Sequence, residues 1–268
     1  MYTKVKLARL LLLILLCFMQ MLSVAQDSTK PTVFSKPHMF GITHDATFSS
    51  DNNSGKATLT TLEYSNKYKV PYTVRVNVAG RFGTTGMQLE ADAYPKINKK
   101  TYAYINGGVA DDLLFPQYRA GLSLFRSMPA SFEVEGGFRL LHFNSTVWIY
   151  TASVSKYHKR YLFNMSTFLT PENGYLLRSY FLKTRYYLTE KSYLMLTLGT
   201  GISPDDKQNA NQLFILNRLR SKRVDLSARI FLIRDNVIYL NAGFMSQQTA
   251  EKESADRINV TVGYHKVF

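Results

Sequence analysis

Charged side chains recur singly between apolar ones along this chain, and their spacing decides what chemistry is available. Arg75, Glu90, Asp92, Glu133, Glu135, Arg139, Arg223, Asp225 and Arg229 all sit in stretches where polar and apolar residues alternate. Carboxylates and guanidinium groups on one face of a sheet pair across neighbouring strands. The pattern therefore reads as a brace or lining of an interior, since charge networks are commonly structural. A hydrolase would need a hydroxyl nucleophile, a histidine and an orienting acid within hydrogen-bond reach. Of His38, His44, His142, His158 and His265, His142, with Ser145 close in sequence, comes nearest. No motif frames that pair, so no catalytic residue is assigned. No metal-ligand cluster and no glycine-rich phosphate loop occurs, so neither a metal nor another cofactor is expected.

The elements that must position these charges are strands. From His38 onward the apolar period is two, not 3.6, and turn residues punctuate it. Tyr72, Val74, Val76 and Val78 alternate with Thr73, Arg75 and Asn77. Phe132, Val134, Phe138 and Leu140 alternate with Glu133, Glu135 and Arg139. Fourteen such segments follow one another, or twelve if two weak early ones merge. The tenth, Tyr175 to Leu188, leaves its inward face open. No mature segment is long and apolar enough for a transmembrane helix. Lipid cannot satisfy open backbone groups, so a membrane form of this chain must be a closed antiparallel transmembrane β-barrel. Short turns at Pro95 to Lys100, Thr189-Glu190 and Arg234 to Asn236 alternate with longer stretches at Asp111 to Pro116, after Ser203 and before Asp256. Outer-membrane barrels show that alternation, with the short turns and both termini periplasmic.

The last strand fits the same reading. Val260, Val262 and Tyr264 occupy every second position, and the chain stops on Phe268. A greasy terminal strand with no covering helix suits the closing strand of a barrel, where lipid takes the apolar face. These four residues are expected to carry the signal read by the outer-membrane barrel assembly machinery. Lys266 breaks the apolar pattern, and its stem can lie in lipid while its amine reaches water.

At the other end, Lys4, Lys6 and Arg9 precede an apolar run from Leu10 to Met19, and Ser23-Val24-Ala25 follows. This reads as a secretory signal peptide over residues 1–25. Residues 26–37 form a polar periplasmic lead, and 38–268 the barrel. Cys17, the only cysteine, leaves with the signal, so no disulfide framework is expected. Leu16 before it is too bulky for a lipid-attachment site. The net charge of +14 is spread along the chain, not clustered. With export, this argues against nucleic acid and for contact with outer-membrane lipid and lipopolysaccharide headgroups.

Several stretches together resemble the YaiO family of outer-membrane β-barrels: Leu62-Glu63-Tyr64-Ser65, Gly80-Arg81-Phe82-Gly83, Gln88 to Pro95, Leu114-Phe115-Pro116, Trp148-Ile149-Tyr150 and Gly199 to Asp205. They run in order across most of the chain from residue 26 on. The resemblance implies localisation in the outer membrane of a Bacteroidota-like bacterium. It also implies a part in handling surface polysaccharide, beside envelope glycan system proteins, and it brings no catalytic residues. The expected function is a conduit or structural partner for surface or exported polysaccharide or small anionic solutes. The alternative is a barrel-embedded enzyme modifying lipid A or phospholipid.

Overall fold

The computed structural model describes residues 37–50, 56–81, 83–110, 114–172, 174–201, 221–248 and 254–268. The expected signal peptide, most of the expected lead and the stretch after Ser203 lie outside them. The strands are β1 (His38–Ser49), β2 (Lys56–Asn66), β3 (Tyr72–Arg81), β4 (Thr84–Ala93), β5 (Thr101–Ala110), β6 (Tyr118–Met128) and β7 (Phe132–His142). There follow β8 (Thr146–His158), β9 (Tyr161–Glu172), β10 (Tyr175–Tyr187), β11 (Tyr193–Thr200), β12 (Ser221–Phe231), β13 (Asn236–Gln248) and β14 (Ser254–Val267). Each pairs antiparallel with the next, and β14 returns to β1, closing a barrel of fourteen strands. Closure removes the sheet edges that would otherwise leave backbone groups unpaired. The twelve-strand option is thereby excluded.

Alternation sorts the side chains. On β4, Met87 and Leu89 are 62% and 51% exposed, whereas Gln88 and Glu90 are 1% and 3% exposed. The apolar row faces outward and the polar row inward, the reverse of a soluble sandwich. Val74, Val134, Tyr150, Leu182, Leu226 and Val262 continue the outward band around the wall. An apolar surface of that extent needs a nonpolar solvent. β10 settles as well: Tyr180 and Leu182 point out, while Phe181 is buried inside and Lys183 lines an internal cavity.

Two details depart from the alternation reading. β9 runs on through Pro171, which sits near the end of its ladder opposite Leu176, where a missing N–H costs little. The interior is also not uniformly polar. Leu141, Ile149, Phe168 and Phe181 cluster inside β7 to β10, and Met39, Val237 and Val267 cluster where the chain ends meet.

The start of β1 at His38 and the end of β14 with Phe268 lie at one end, called here the terminal end. The six turns there, at 67–71, 94–100, 129–131, 159–160, 188–192 and 232–235, are no longer than seven residues. The connections at the far end reach 20 residues, at 201–220. By the loop-length rule, the terminal end is expected to be periplasmic.

Candidate functional site

The inward rows of β2 to β8 form one connected polar network. Arg75 stands opposite Glu63 on β2 and Glu90 on β4. Its guanidinium donates to Glu63 at 3.0 Å and, diagonally, to Asp92. Glu90 instead accepts from Asn77 at 3.2 Å and Asn106 at 3.0 Å, with Arg119 at 3.5 Å. Asn106 also donates to Asp92 at 2.6 Å and accepts from Arg119 at 3.0 Å. Tyr104 donates its hydroxyl to Asp92 at 3.1 Å and presents its ring to Arg139 at 4.6 Å. Arg139 reaches Ser123 at 2.9 Å and Glu135 at 3.7 Å, and Ser153 on β8 donates to Glu135 at 2.7 Å. Charges this deeply buried are tolerable because each meets an opposite charge or a hydrogen-bond partner. Backbone makes room for one of them: a Cβ on Gly121 would stand 2.7 Å from the Arg139 Cδ.

The remaining wall is looser. Arg223 and Asp225 pair along a single strand, with Nη2 donating to Oδ1 at 3.1 Å. Ser227 donates to Asn241 at 2.7 Å, and Thr261 donates to Asp45. Here β1 to β3 and β10 to β14 surround a cavity of about 450 Å³, with Lys183, Arg223, Asp225 and Arg257 on one side and Glu63 and Arg75 on the other. The wall from β4 to β9 contributes nothing to it, because its network and apolar cluster fill that side.

Of the nine charges singled out from sequence, Arg75, Glu90, Asp92, Glu135 and Arg139 share the network, and Arg223 and Asp225 line the cavity. Glu133 stands apart beside Tyr102, and Arg229 meets the Met39 sulfur at 3.5 Å and the Phe231 ring at 5.4 Å. Sequence reasoning did not single out Glu63, Asn77, Asn106 or Arg119. Glu63 and Arg119 show the same alternation, in Leu62-Glu63-Tyr64 and Tyr118-Arg119-Ala120. The asparagines carried no charge to mark them.

His142 bonds the hydroxyl of Thr146, not that of Ser145, at 2.9 Å and packs against Tyr118. Among the described residues no carboxylate is hydrogen-bonded to it. On the closing strand, Val260, Val262, Tyr264 and Phe268 all face outward. His265 turns inward over Gly41, and Lys266 donates to Asn236 at 3.2 Å at the rim. In the turn after β2, the Lys67 amine is held below the usual lysine range. Desolvation by the surrounding wall is the main cause, followed by Arg229 and Lys191, with Glu63 opposing.

Comparison with known proteins places this geometry. Solved structures with the same fold include a bacterial polysaccharide outer membrane secretin, at 10% identity and TM-score 0.52, covering 87% of this chain and 99% of that one. The Acinetobacter baumannii outer membrane protein Omp33 matches at 9% identity and TM-score 0.52, over 87% and 99% of the two chains. A TodX deletion mutant, a monoaromatic hydrocarbon channel, matches at 9% identity and TM-score 0.59, over 87% and 91%. At such identities the likeness concerns the fold. No curated protein sequence matches. The model of the YaiO membrane beta barrel domain matches residues 38–206, from the first strand past the eleventh. With that match covering more than half of the sequence and a closed antiparallel wall beneath it, the chain belongs to the YaiO family of outer-membrane β-barrels.

Proposed function

We propose that the barrel is a conduit for surface or exported polysaccharide or for small anionic solutes, or a structural partner of the envelope system that handles them. The cavity of about 450 Å³ carries this reading, because its lining holds charges of both signs and runs beside a wall that is otherwise filled. Eight-stranded barrels are filled by side chains and barrels of sixteen or more strands hold aqueous channels. Fourteen strands with one packed side make a narrow, eccentric passage. The fold shared with a polysaccharide secretin is compatible with this reading. Outer-membrane lipid, lipopolysaccharide, the barrel assembly machinery and envelope glycan proteins are the partners it implies.

Planar-bilayer recording tests the conduit. Small single-channel steps with a reversal potential favouring anions in a salt gradient are expected, since charge lining the passage sets selectivity. A silent barrel leaves only the structural-partner role. The enzyme reading retains the His142–Thr146 contact at 2.9 Å. Lipid or lipopolysaccharide cleavage abolished by His142→Ala would replace the conduit with it.

A further inference from the structure

Four cations converge on the terminal-end mouth in an arrangement unlike that of the network above it. Arg185, near the end of β10, lies over the Tyr193 ring at 4.3 Å and donates to the Tyr187 hydroxyl at 3.2 Å. Tyr193 stands directly opposite Arg229 in the β11–β12 register. Arg229 and Lys191 both approach Phe231, at 5.4 and 5.7 Å. Lys67 reaches the same mouth from the turn after β2, where Arg229 and Lys191 both act on it electrostatically. Higher in the barrel, arginines meet carboxylates. Here aromatic faces orient the arginines. The Nε atoms of Arg185 and Arg229 are buried without a hydrogen-bond partner, and among the described residues neither side chain forms an ion pair with a carboxylate.

The two ends of the barrel differ in the same sense. The six terminal-end turns hold nine lysines and arginines against two acids, whereas the seven far-end connections hold four against seven. Lys69, Lys159 and Arg234 occupy left-handed backbone, at φ 51°, 52° and 59°. Glycine takes that conformation without strain. Ala130, Ser131 and Asp235 in these turns occupy it too, at φ 56°, 60° and 60°.

We propose that the terminal-end mouth is an anion-binding site, built from Arg185, Arg229, Lys191 and Lys67, that takes a carboxylate- or phosphate-bearing chain from the periplasmic side. The proposal rests on the conduit reading for its purpose, and it gives that conduit a loading end. It implies outward movement of an acidic polymer, with the fixed cations drawing the chain toward a narrow passage.

The test is equilibrium binding, which does not depend on conduction. The full chain in nanodiscs of zwitterionic lipid is titrated calorimetrically with an oligogalacturonate, with inorganic tripolyphosphate and with a neutral maltooligosaccharide. The anions are expected to bind and the neutral sugar not, and the tighter anion identifies carboxylate or phosphate as the natural group. Arg185→Gln with Arg229→Gln is expected to weaken binding about tenfold, as for loss of charge-assisted hydrogen bonds. Lys67→Gln with Lys191→Gln changes only turn residues and is expected to weaken it too, which covers failure of the arginine variant to fold. Lys96→Gln with Lys99→Gln, in another terminal-end turn, is expected to change little. Equal binding of the neutral sugar, wild-type affinity in both cluster variants, or an equal loss in the Lys96/Lys99 control overturns the site. A barrel that conducts without binding overturns this site alone, and one that binds without conducting overturns the open conduit alone.

Discussion

Arg75 pairs with two carboxylates, Asp92 and the less buried Glu63. Replacing it with methionine preserves bulk but leaves both acids inside the wall. Removing one partner of a buried pair costs about 3–5 kcal/mol. The lower end applies because the Arg75 side chain is 21% exposed and part of its charge is solvated. Arg75→Met is therefore expected to lower unfolding stability in lipid vesicles by about 3 kcal/mol. Adding Asp92→Asn is expected to recover part of that loss, because the amide no longer needs a cation. Urea titration of both variants checks this, and an unchanged midpoint for the single variant would show that the network braces nothing.

At the scale of strands, the seam between β1 and β14 decides whether a barrel exists. Gly41 faces His265 there, and a Cβ at Gly41 would lie 2.0 Å from the imidazole Cδ2. Gly41→Val is expected to reduce the heat-modifiable folded form, and adding His265→Ala is expected to restore it. Failure of that rescue would mean that the clash is not what stops closure. The chain end matters equally. The backbone N–H groups of His38 and Phe268 donate to each other's carbonyls at 3.1 and 2.9 Å, and the two rings stack. Deleting Phe268 removes both bonds. Val262→Lys puts a charge on the lipid face, at about 2–4 kcal/mol near the midplane. Both changes are expected to lower the folded barrel recovered from membranes, and normal recovery of both would deny the closing strand its assembly role.

For the whole molecule, an outward apolar band and an inward polar one leave only one suitable solvent, a bilayer. The protein is expected to fractionate with outer membranes, to migrate faster unheated than heated, and to begin at Gln26 once exported. Recovery as a stable soluble periplasmic monomer would contradict the architecture, and an intact Met1 terminus would contradict the signal peptide. The contrast between a basic terminal end and an acidic far end belongs to this scale too. It sets a field along the barrel axis that no single strand carries, and it predicts a direction for anionic cargo.

Period-two alternation is local, so the sequence alone narrowed the strands to fourteen or twelve and showed which face of most of them meets lipid, and closure decided for fourteen. Val74 against Arg75 and Leu89 against Glu90 were legible because one polar residue between two apolar ones admits one orientation in a bilayer. β10 was not legible: Phe181, Lys183 and Arg185 alternate with Tyr180, Leu182 and Tyr186, and aromatic and basic residues suit either face. Which charges meet was decided by register and side-chain reach. Arg75 bypasses Glu90 for the diagonal Asp92, and Arg229 ends beside Met39 rather than an acid. The mouth cluster was the least visible, because its members come from strands and turns far apart in sequence. Only closure of the barrel carries Lys67 to Lys191 and Arg229, since a sequence pattern records spacing along the chain and not distance across a lumen.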